Sequence, residues 1–136
     1  MTNHVLLNNV DHKDLKVIST RSAVYGDNVQ CAATFSWEFR SIQAHYPIFF
    51  SKHPETGDFS AVAMFGFKDK ENLFLSDKGW DASYIPLSIR REPFLIGFQQ
   101  PAASGGSEKE PVIHVDMDSP RVGESEGEAV FLSLIH

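Results

Sequence analysis

Apolar and polar residues alternate in several short segments of the chain, and each of these segments predicts a strand. Over residues 29–35 the apolar positions recur at every second residue, which favours a half-buried strand with Cys31 as a small buried residue. A turn-forming segment, 54–58, lies between two more such runs, 47–53 and 59–67. This order predicts a β-hairpin with the aromatic side chains of its second strand on one face.

Between the first strand and the hairpin, the apolar residues change to a helical spacing. Four of them form one stripe of a helix: Phe35, Phe39, Ile42 and Tyr46. Ser36 is the predicted N-cap, and the proline after Tyr46 ends the helix. A second short helix is predicted to begin near Ser83 and to end before Pro93.

The sequence pattern of the C-terminal third also predicts strands. Residues 94–98 are an unbroken apolar run, typical of a strand buried on both faces, and residues 112–118 alternate. A last strand is predicted over 129–135. We therefore predict an α+β fold, with an antiparallel or mixed sheet and one or two short helices. A β-sandwich or a small barrel is the alternative.

Composition narrows the class of protein. A chain of 136 residues suits a single domain. Ten of its 11 phenylalanines lie between Phe35 and Phe98, so a core can form and the disordered class is excluded. The net charge is −6, and residues 102–128 alone carry seven acids and two bases, a local balance of −5. No basic patch for nucleic acid is present, so we expect no nucleic-acid partner.

Compartment signals are sparse. The single cysteine excludes an internal disulfide and a multi-cysteine metal site. No apolar run approaches the roughly 20 residues that span a bilayer, so we expect no membrane span. The first ten residues lack the basic and apolar regions of a signal peptide, and a cytoplasmic location is expected.

One strand carries candidate metal ligands. His114 and Asp116 are two residues apart and so project from the same face, which with a distant histidine would give the ligand set of a non-haem iron centre. The later histidine is the terminal His136, a poor third ligand. A second option is a hard cation held by acidic oxygens of Asp116 and Asp118, with those of Glu124, Glu126 and Glu128 nearby. The ordinary interpretation of both patterns is a solvated polar face and loop, so no cofactor is expected and a divalent metal is the alternative.

A small-ligand site is the other chemical candidate. Arg90 and Arg91 form a local basic spot, and their planar guanidinium groups suit a carboxylate or phosphate, although a salt bridge or helix cap is the more ordinary role. Glu38 and His45 lie seven residues apart on one helical face, two turns from each other, and only loosely resemble an acid–base pair. The candidate ligand-binding residues are Arg90, Arg91, Trp80, Tyr84, His45 and Tyr46. No residue is assigned as catalytic.

Longer phrases of the sequence resemble a known family. They are spread through the chain: 12–17 (HKDLKV), 38–39 (EF), 45–50 (HYPIFF), 71–75 (ENLFL), Trp80, 84–86 (YIP) and 89–94 (IRREPF). These phrases are similar to those of the SapC family of bacterial proteins, named for a surface-array gene cluster and distinct from the peptide-transporter permease of the same name. The resemblance covers residues 10–132. It implies one SapC-like domain over residues 1–136, shortened at its C-terminus relative to the family.

The resemblance implies a role but no catalytic residues. It points to S-layer or surface-protein transport, and the first hypothesis is a non-enzymatic accessory protein that binds a surface or export component. The second is an enzyme or binder that uses His114 and Asp116 for a metal, or Arg90 and Arg91 for an anionic ligand. The third is a homodimer that covers exposed core surface.

Overall fold

The computed structural model describes residues 2–100 and 109–132. Within these residues the chain forms short strands and two short α-helices. The strands are β1 (His4–Leu6), β2 (Lys16–Val17), β3 (Cys31–Ala33), β4 (Ile48–Lys52), β5 (Phe59–Met64), β6 (Leu75–Ser76), β7 (Gly79–Trp80), β8 (Phe94–Gln99), β9 (Glu110–Asp116), β10 (Val122–Gly123) and β11 (Glu128–Ala129). The helices are α1 (Phe39–Ile42) and α2 (Leu87–Arg90). Every strand pairing is antiparallel, so the α+β prediction is confirmed.

The chain divides into two compact units. Thr20–Arg91 forms the first, which we call the central unit. Met1–Ser19 and Glu92–His136 form the second, which we call the terminal unit. The single domain over 1–136 stays a prediction, and each unit is described by itself.

The predicted hairpin is present in the central unit. Strands β4 and β5 pair from Ile48 opposite Ala63 to Lys52 opposite Phe59, and β3 adds on the other side of β5. The second strand of the hairpin ends at Met64, three residues earlier than predicted. Phe65 is buried, but Phe67 lies beyond the strand and is exposed, so the aromatic side chains do not all share one face.

The prediction for Cys31 is wrong. In β3 the middle residue, Ala32, is buried, whereas Cys31 and Ala33 are exposed. Ala32 lies opposite Ala63 of β5, and both belong to the core. Small side chains on this face leave room for the large Tyr46 and Phe65 beneath, so the core takes the face that the sequence pattern assigned to solvent.

The first helix is shorter than its apolar stripe predicts. A 3-10 turn, Ser36–Glu38, precedes α1, and Ser36 makes no capping bond because Phe35 holds the N-cap position. Ile42 and Tyr46 are buried as expected, since the chain keeps turning after α1 through hydrogen bonds from His45 and Tyr46 N–H to the carbonyl of Ile42.

The second helix begins four residues later than predicted. Pro86 is its N-cap, and α2 has one turn that buries Ile89. The residues from Ser83 to Pro86 are instead extended or bent. Within the described ranges, no helix has both the length and the apolar character needed to cross a membrane.

In the terminal unit, β1, β9 and β8 form a sheet in that order. The prediction that the run 94–98 is buried on both faces is wrong, because Ile96 and Phe98 are exposed. Among the described residues the strand lies at the edge of its sheet, and Phe94 and Leu95, near the buried Val115, are less exposed than Ile96 and Phe98.

A smaller sheet in the same unit has the order β10, β2, β11. The buried Arg121 donates from Nη1 to the carbonyl of Ile18 over 2.9 Å, next to the end of β2. The strand predicted over 129–135 is confirmed at Ala129 only, in β11 (Glu128–Ala129), and residues 133–136 lie outside the described residues.

Candidate functional site

A buried carboxylate organises the polar side of the central unit. Glu38 ends the 3-10 turn before α1 and is 1% exposed. Its Oε2 accepts from the hydroxyl of Thr34 over 2.7 Å, and its Oε1 accepts from the hydroxyl of Tyr84 over 2.8 Å. Oε1 also accepts from the N–H of Leu87, over 2.7 Å. One side chain therefore joins the end of β3, the loop before α2 and the first residue of α2.

Burial and the bond to Glu38 together keep the Tyr84 phenol protonated. Burial, the hydrogen bond to Glu38 and the negative charge of that carboxylate raise the pKa of Tyr84 from 10.0 to about 12, although the charge of Arg90 acts in the opposite direction. Tyr84 is therefore neutral near pH 7 and acts as a hydrogen-bond donor to Glu38. The pair fixes the loop before α2.

Tyr46 is the second polar centre and lies in the core. Its hydroxyl donates to the backbone carbonyl of Tyr84 and accepts from Nε1 of Trp80, the latter over 2.7 Å. The Tyr46 ring meets Phe65 and Phe74 edge to face, at centroid distances of 5.1 and 4.6 Å. Burial raises the pKa of Tyr46, and the bond from Trp80 partly offsets this. Tyr46, Trp80 and Tyr84, three of the predicted ligand-binding residues, thus lie together. Their side-chain polar atoms are hydrogen-bonded to one another or to Glu38.

His45 joins the same loop from another side. Its Nε2 lies 3.1 Å from the hydroxyl of Ser83, while Glu38 bonds to the next residue, Tyr84. Glu38 and His45 thus contact adjacent residues of one loop, and no hydrogen bond joins them to each other. The structure therefore shows no hydrogen bond through which Glu38 and His45 could share a proton as an acid–base pair.

Arg90 and Arg91 line a shallow depression of about 510 Å³ at the end of α2. Its other walls are the apolar side chains of Ala33, Phe35 and Leu87, together with Ser88. Ser88 donates to the carbonyl of Ala33 over 2.8 Å and so holds α2 against β3. The depression combines guanidinium groups with an apolar wall, which suits an anion that carries an apolar group.

A second cavity of the central unit is almost wholly apolar. We call it the Phe67 groove; it has a volume of about 260 Å³ and is lined by Pro47, Phe49, Met64, Phe67, Leu73 and Phe74, with Phe65 and Gly66 at its base. Phe67 is 86% exposed and Leu73 is 62% exposed. Gly66 is required here, because a Cβ at this position would collide with the backbone carbonyl of Glu71. Sequence reasoning missed the groove, since it placed Phe67 within a strand.

The candidate metal ligands lie in the terminal unit, on β9. Oδ1 of Asp116 accepts from the N–H groups of Asn3 and Asp118, over 2.8 and 3.1 Å. The ring of His114 lies against the α-carbon of Gly97. Within residues 2–100 and 109–132, the buried Nδ1 of His114 has no hydrogen-bond partner.

The pair has no third ligand in the part of the chain that the structure describes. There, no three or more His, Cys, Asp or Glu side chains form a group able to hold a metal ion, and this includes the acidic loop after β9. His136, the other predicted ligand, lies outside the described residues. The metal hypothesis stays a prediction, which metal analysis of the purified protein tests.

Comparison with known proteins gives one match. The family model described as SapC matches residues 7–133, nearly the whole chain. No match is found among curated proteins or among solved structures.

Proposed function

The chain belongs to the SapC family, and from that premise we propose that it is a non-enzymatic accessory protein that binds another protein. We place this role in the handling or transport of S-layer or other surface proteins, the process that the family resemblance implies, and in the cytoplasm. The Phe67 groove is the observation that carries the proposal.

The exposure of the groove supports a binding role. Burying an apolar side chain stabilises a protein by about 1.5 to 3 kcal/mol, so a fold rarely leaves several of them together in water without a use. Phe49, Phe67 and Leu73 are each more than half exposed and line one groove. Aromatic side chains are enriched at the cores of protein interfaces.

The surroundings of the groove define the partner's chemistry. Lys68, Asp69 and Lys70 follow Phe67 and are exposed, so charged residues lie beside an apolar floor, as at the rim of a protein interface. An apolar or aromatic segment of a surface or export protein fits this arrangement. The bonded network of Glu38, Tyr46 and Tyr84 then serves as a rigid support.

Affinity capture from the native host tests the proposal. The bait proteins are the wild type, a groove variant with Phe67→Ser and Leu73→Ser, and a control with Val24→Ser. Val24 is 76% exposed but lies in a separate 3-10 turn, so its substitution removes exposed apolar surface without changing the groove. We expect a surface or export component with the wild type and the control, and its loss with the groove variant. Recovery of no such component, or equal recovery by all three baits, would contradict the proposal.

Binding of an anionic small ligand is the second candidate function. The guanidinium groups and apolar wall of the Arg90 and Arg91 depression support it. Calorimetric titration with a medium-chain carboxylate, and with an uncharged alcohol of the same length, tests it. Binding of the carboxylate alone, lost in an Arg90→Gln and Arg91→Gln variant, is expected. Equal heats for the acid and the alcohol would argue against an anion site.

A further inference from the structure

Helix α2 is held at both ends by charged side chains of the central unit. At its first residue, the N–H of Leu87 donates to Oε1 of the buried Glu38 over 2.7 Å. At its end, Arg21 donates from Nη1 to the carbonyl of Ile89 over 3.1 Å and from Nη2 to the carbonyl of Arg90 over 3.5 Å. A helix of one turn does not hold itself together in water, so these contacts fix its position.

The side chain of Arg21 is itself fixed. Its Nη1 also forms an ion pair with Oδ1 of Asp27 over 3.2 Å, and the Asp27 side chain is fully buried. Oδ2 of Asp27 accepts from the N–H of Ser22 over 2.7 Å. The backbone at Ile89 and Arg90 is thus held in place before any ligand binds. A preorganised site loses less free energy to ordering when its ligand arrives.

The depression of about 510 Å³ at the end of α2, which we call the α2 depression, combines two kinds of chemistry. Arg90 and Arg91 supply guanidinium groups, and Arg90 is exposed. A guanidinium group can donate two parallel N–H bonds to one carboxylate, which fixes the orientation of the carboxylate. The apolar lining consists of Ala33, Phe35 and Leu87. A ligand that fits the α2 depression therefore carries a carboxylate close to an apolar group.

The extent of the apolar lining limits the size of that apolar group. The lining has three apolar side chains, and one of them is only the methyl group of Ala33. A long acyl chain would leave most of its length in water, whereas one apolar side chain is covered. Phe35 contacts Trp37 at a centroid distance of 4.7 Å, and Trp37 is 74% exposed, so the apolar surface continues beside the depression. This surface suits a polypeptide whose last residues are apolar.

In a protein, a carboxylate and an apolar side chain share one α-carbon at the C-terminal residue, and capture of this carboxylate is a recurring mode of peptide recognition. We propose that the α2 depression binds the C-terminus of a partner protein that ends in an apolar or aromatic residue. The terminal carboxylate lies on Arg90 and Arg91, the last side chain lies against Phe35, and Arg21 is a positioning residue that holds α2. This proposal rests on the proposed binding of another protein and on the anion site of the two arginines.

Fluorescence anisotropy of short labelled peptides tests the proposal. The first peptide has a body of glycine and serine and ends in Leu-Phe with a free carboxylate. The second ends in Leu-Phe amide, and the third ends in Gly-Gly with a free carboxylate. We expect the full chain to bind the first peptide at least about tenfold more tightly than either of the others, because each of the others lacks one of the two contacts.

Two double variants test the role of the arginines. Arg90→Gln with Arg91→Gln is expected to bind the acid and the amide peptide equally, and both weakly. Lys68→Gln with Lys78→Gln removes the same amount of positive charge from exposed residues that do not line the α2 depression, and it should bind like the wild type. The variant of the Phe67 groove should also keep the peptide, since the groove has no lining residue in common with the depression.

Arg21→Lys separates positioning from stability. Lysine keeps a positive charge beside Asp27 but cannot bond to both carbonyls of α2. The ratio of acid to amide affinity, measured well below the thermal unfolding midpoint, is expected to fall about fivefold. A role limited to folding would lower the midpoint and leave this ratio unchanged, which would overturn the assignment of Arg21.

The outcomes distinguish this proposal from the function on which it rests. Equal binding of the acid and amide peptides by the wild type would overturn the C-terminal site. Binding of the medium-chain carboxylate without the Leu-Phe peptide would overturn it too, but would leave the anion site intact. Binding of neither ligand would contradict both. Binding of the peptide together with a failed affinity capture would support the C-terminal site and contradict only the role in surface-protein handling.

Discussion

The central and terminal units differ in how they bury their side chains. In the central unit, six aliphatic or aromatic residues are buried in one cluster: Ala32, Ile42, Tyr46, Ala63, Phe65 and Ile89. Among the described residues of the terminal unit, only Leu15 and Val115 are buried in this class. The central unit is closed around an aromatic core, whereas the described part of the terminal unit buries few apolar side chains.

Polar groups show the same contrast. In the central unit the buried Glu38 accepts three hydrogen bonds, and the Tyr46 hydroxyl makes two. In the terminal unit, Nδ1 of His114 is buried and has no hydrogen-bond partner among the residues that the structure describes. Satisfied buried networks give a core one arrangement, whereas an unpartnered polar atom costs stability. The hydrogen bonds among the described residues thus make the central unit the rigid scaffold.

The largest expected effect is at Glu38. Replacing Glu38 by alanine leaves the donors of Thr34, Tyr84 and Leu87 without their acceptor, so we expect a loss of about 3 kcal/mol in the free energy of unfolding. Glu38→Gln keeps one acceptor oxygen and is expected to lose about 1 kcal/mol. Urea denaturation measures both, with the exposed Glu55→Ala as the control. Equal stability of all four proteins would mean that the carboxylate does not hold the central unit together.

A smaller loss is expected at Gly97 in the terminal unit. A Cβ at this position would lie 2.5 Å from the His114 ring, so Gly97→Ala is expected to destabilise the protein by about 1 to 3 kcal/mol. Adding His114→Ala removes the clash, and the double variant should be more stable than Gly97→Ala alone. Denaturation of the single and double variants measures the coupling. Strictly additive losses would show that the ring does not pack on Gly97.

Tyr46→Phe isolates a single hydroxyl of the central core. The ring contacts with Phe65 and Phe74 remain, but Trp80 Nε1 and the carbonyl of Tyr84 lose their partner. We expect a loss of about 1 kcal/mol. Denaturation with tryptophan fluorescence reports both stability and the surroundings of Trp80. A variant as stable as the wild type would show that water replaces the hydroxyl.

Alkaline pH is expected to weaken the central unit. The pKa of Tyr84 is raised to about 12 in the folded state, whereas an unfolded tyrosine titrates near 10.0. The folded state therefore holds its proton more tightly, and this stabilisation is complete below pH 10 and falls as the pH rises toward 12. Tyr84→Phe removes the group, so the decline in unfolding free energy over this range should be shallower. An identical decline in the variant would assign it to other residues.

The smallest effect is expected in the Phe67 groove. Phe67 is 86% exposed, so Phe67→Ser should change the unfolding free energy by no more than about 0.5 kcal/mol. Thermal unfolding of this variant, compared with the core variant Phe65→Ser, separates a binding surface from a structural one. A loss as large as that of Phe65→Ser would assign Phe67 to the core.

Local patterns predict the parts of this fold that depend on neighbours in sequence. The hairpin of β4 and β5 follows from its turn and its flanking alternation, and Tyr46 is buried where the helical stripe places it. The alternation predicts the wrong face for Cys31. Ala32 and Thr34 are small or polar and so give a weak signal of burial, although tertiary packing buries both.

The candidate site depends more on distant contacts. Tyr46, Trp80 and Tyr84 are predicted from the sequence as candidate ligand-binding residues. The role of Glu38, however, rests on bonds to residues 46 and 49 positions later, which no local pattern reveals. The sequence pattern does not predict the Phe67 groove, for a similar reason. The chain leaves the sheet at Met64, where Gly66 passes close to Glu71, and this turns Phe67 outward.

Residue-resolved hydrogen exchange tests the contrast between the two units most directly. The Leu87 amide, bonded to Glu38, and the Tyr46 amide, bonded to the carbonyl of Ile42, belong to the buried network of the central unit and should exchange slowly. The Leu7 amide of the terminal unit is bonded to the carbonyl of Ile113, a residue whose side chain is 54% exposed, and should exchange faster. Fast exchange of the Leu87 and Tyr46 amides, or equally slow exchange of the Leu7 amide, would contradict a closed core in the central unit and a thinly covered sheet in the terminal unit.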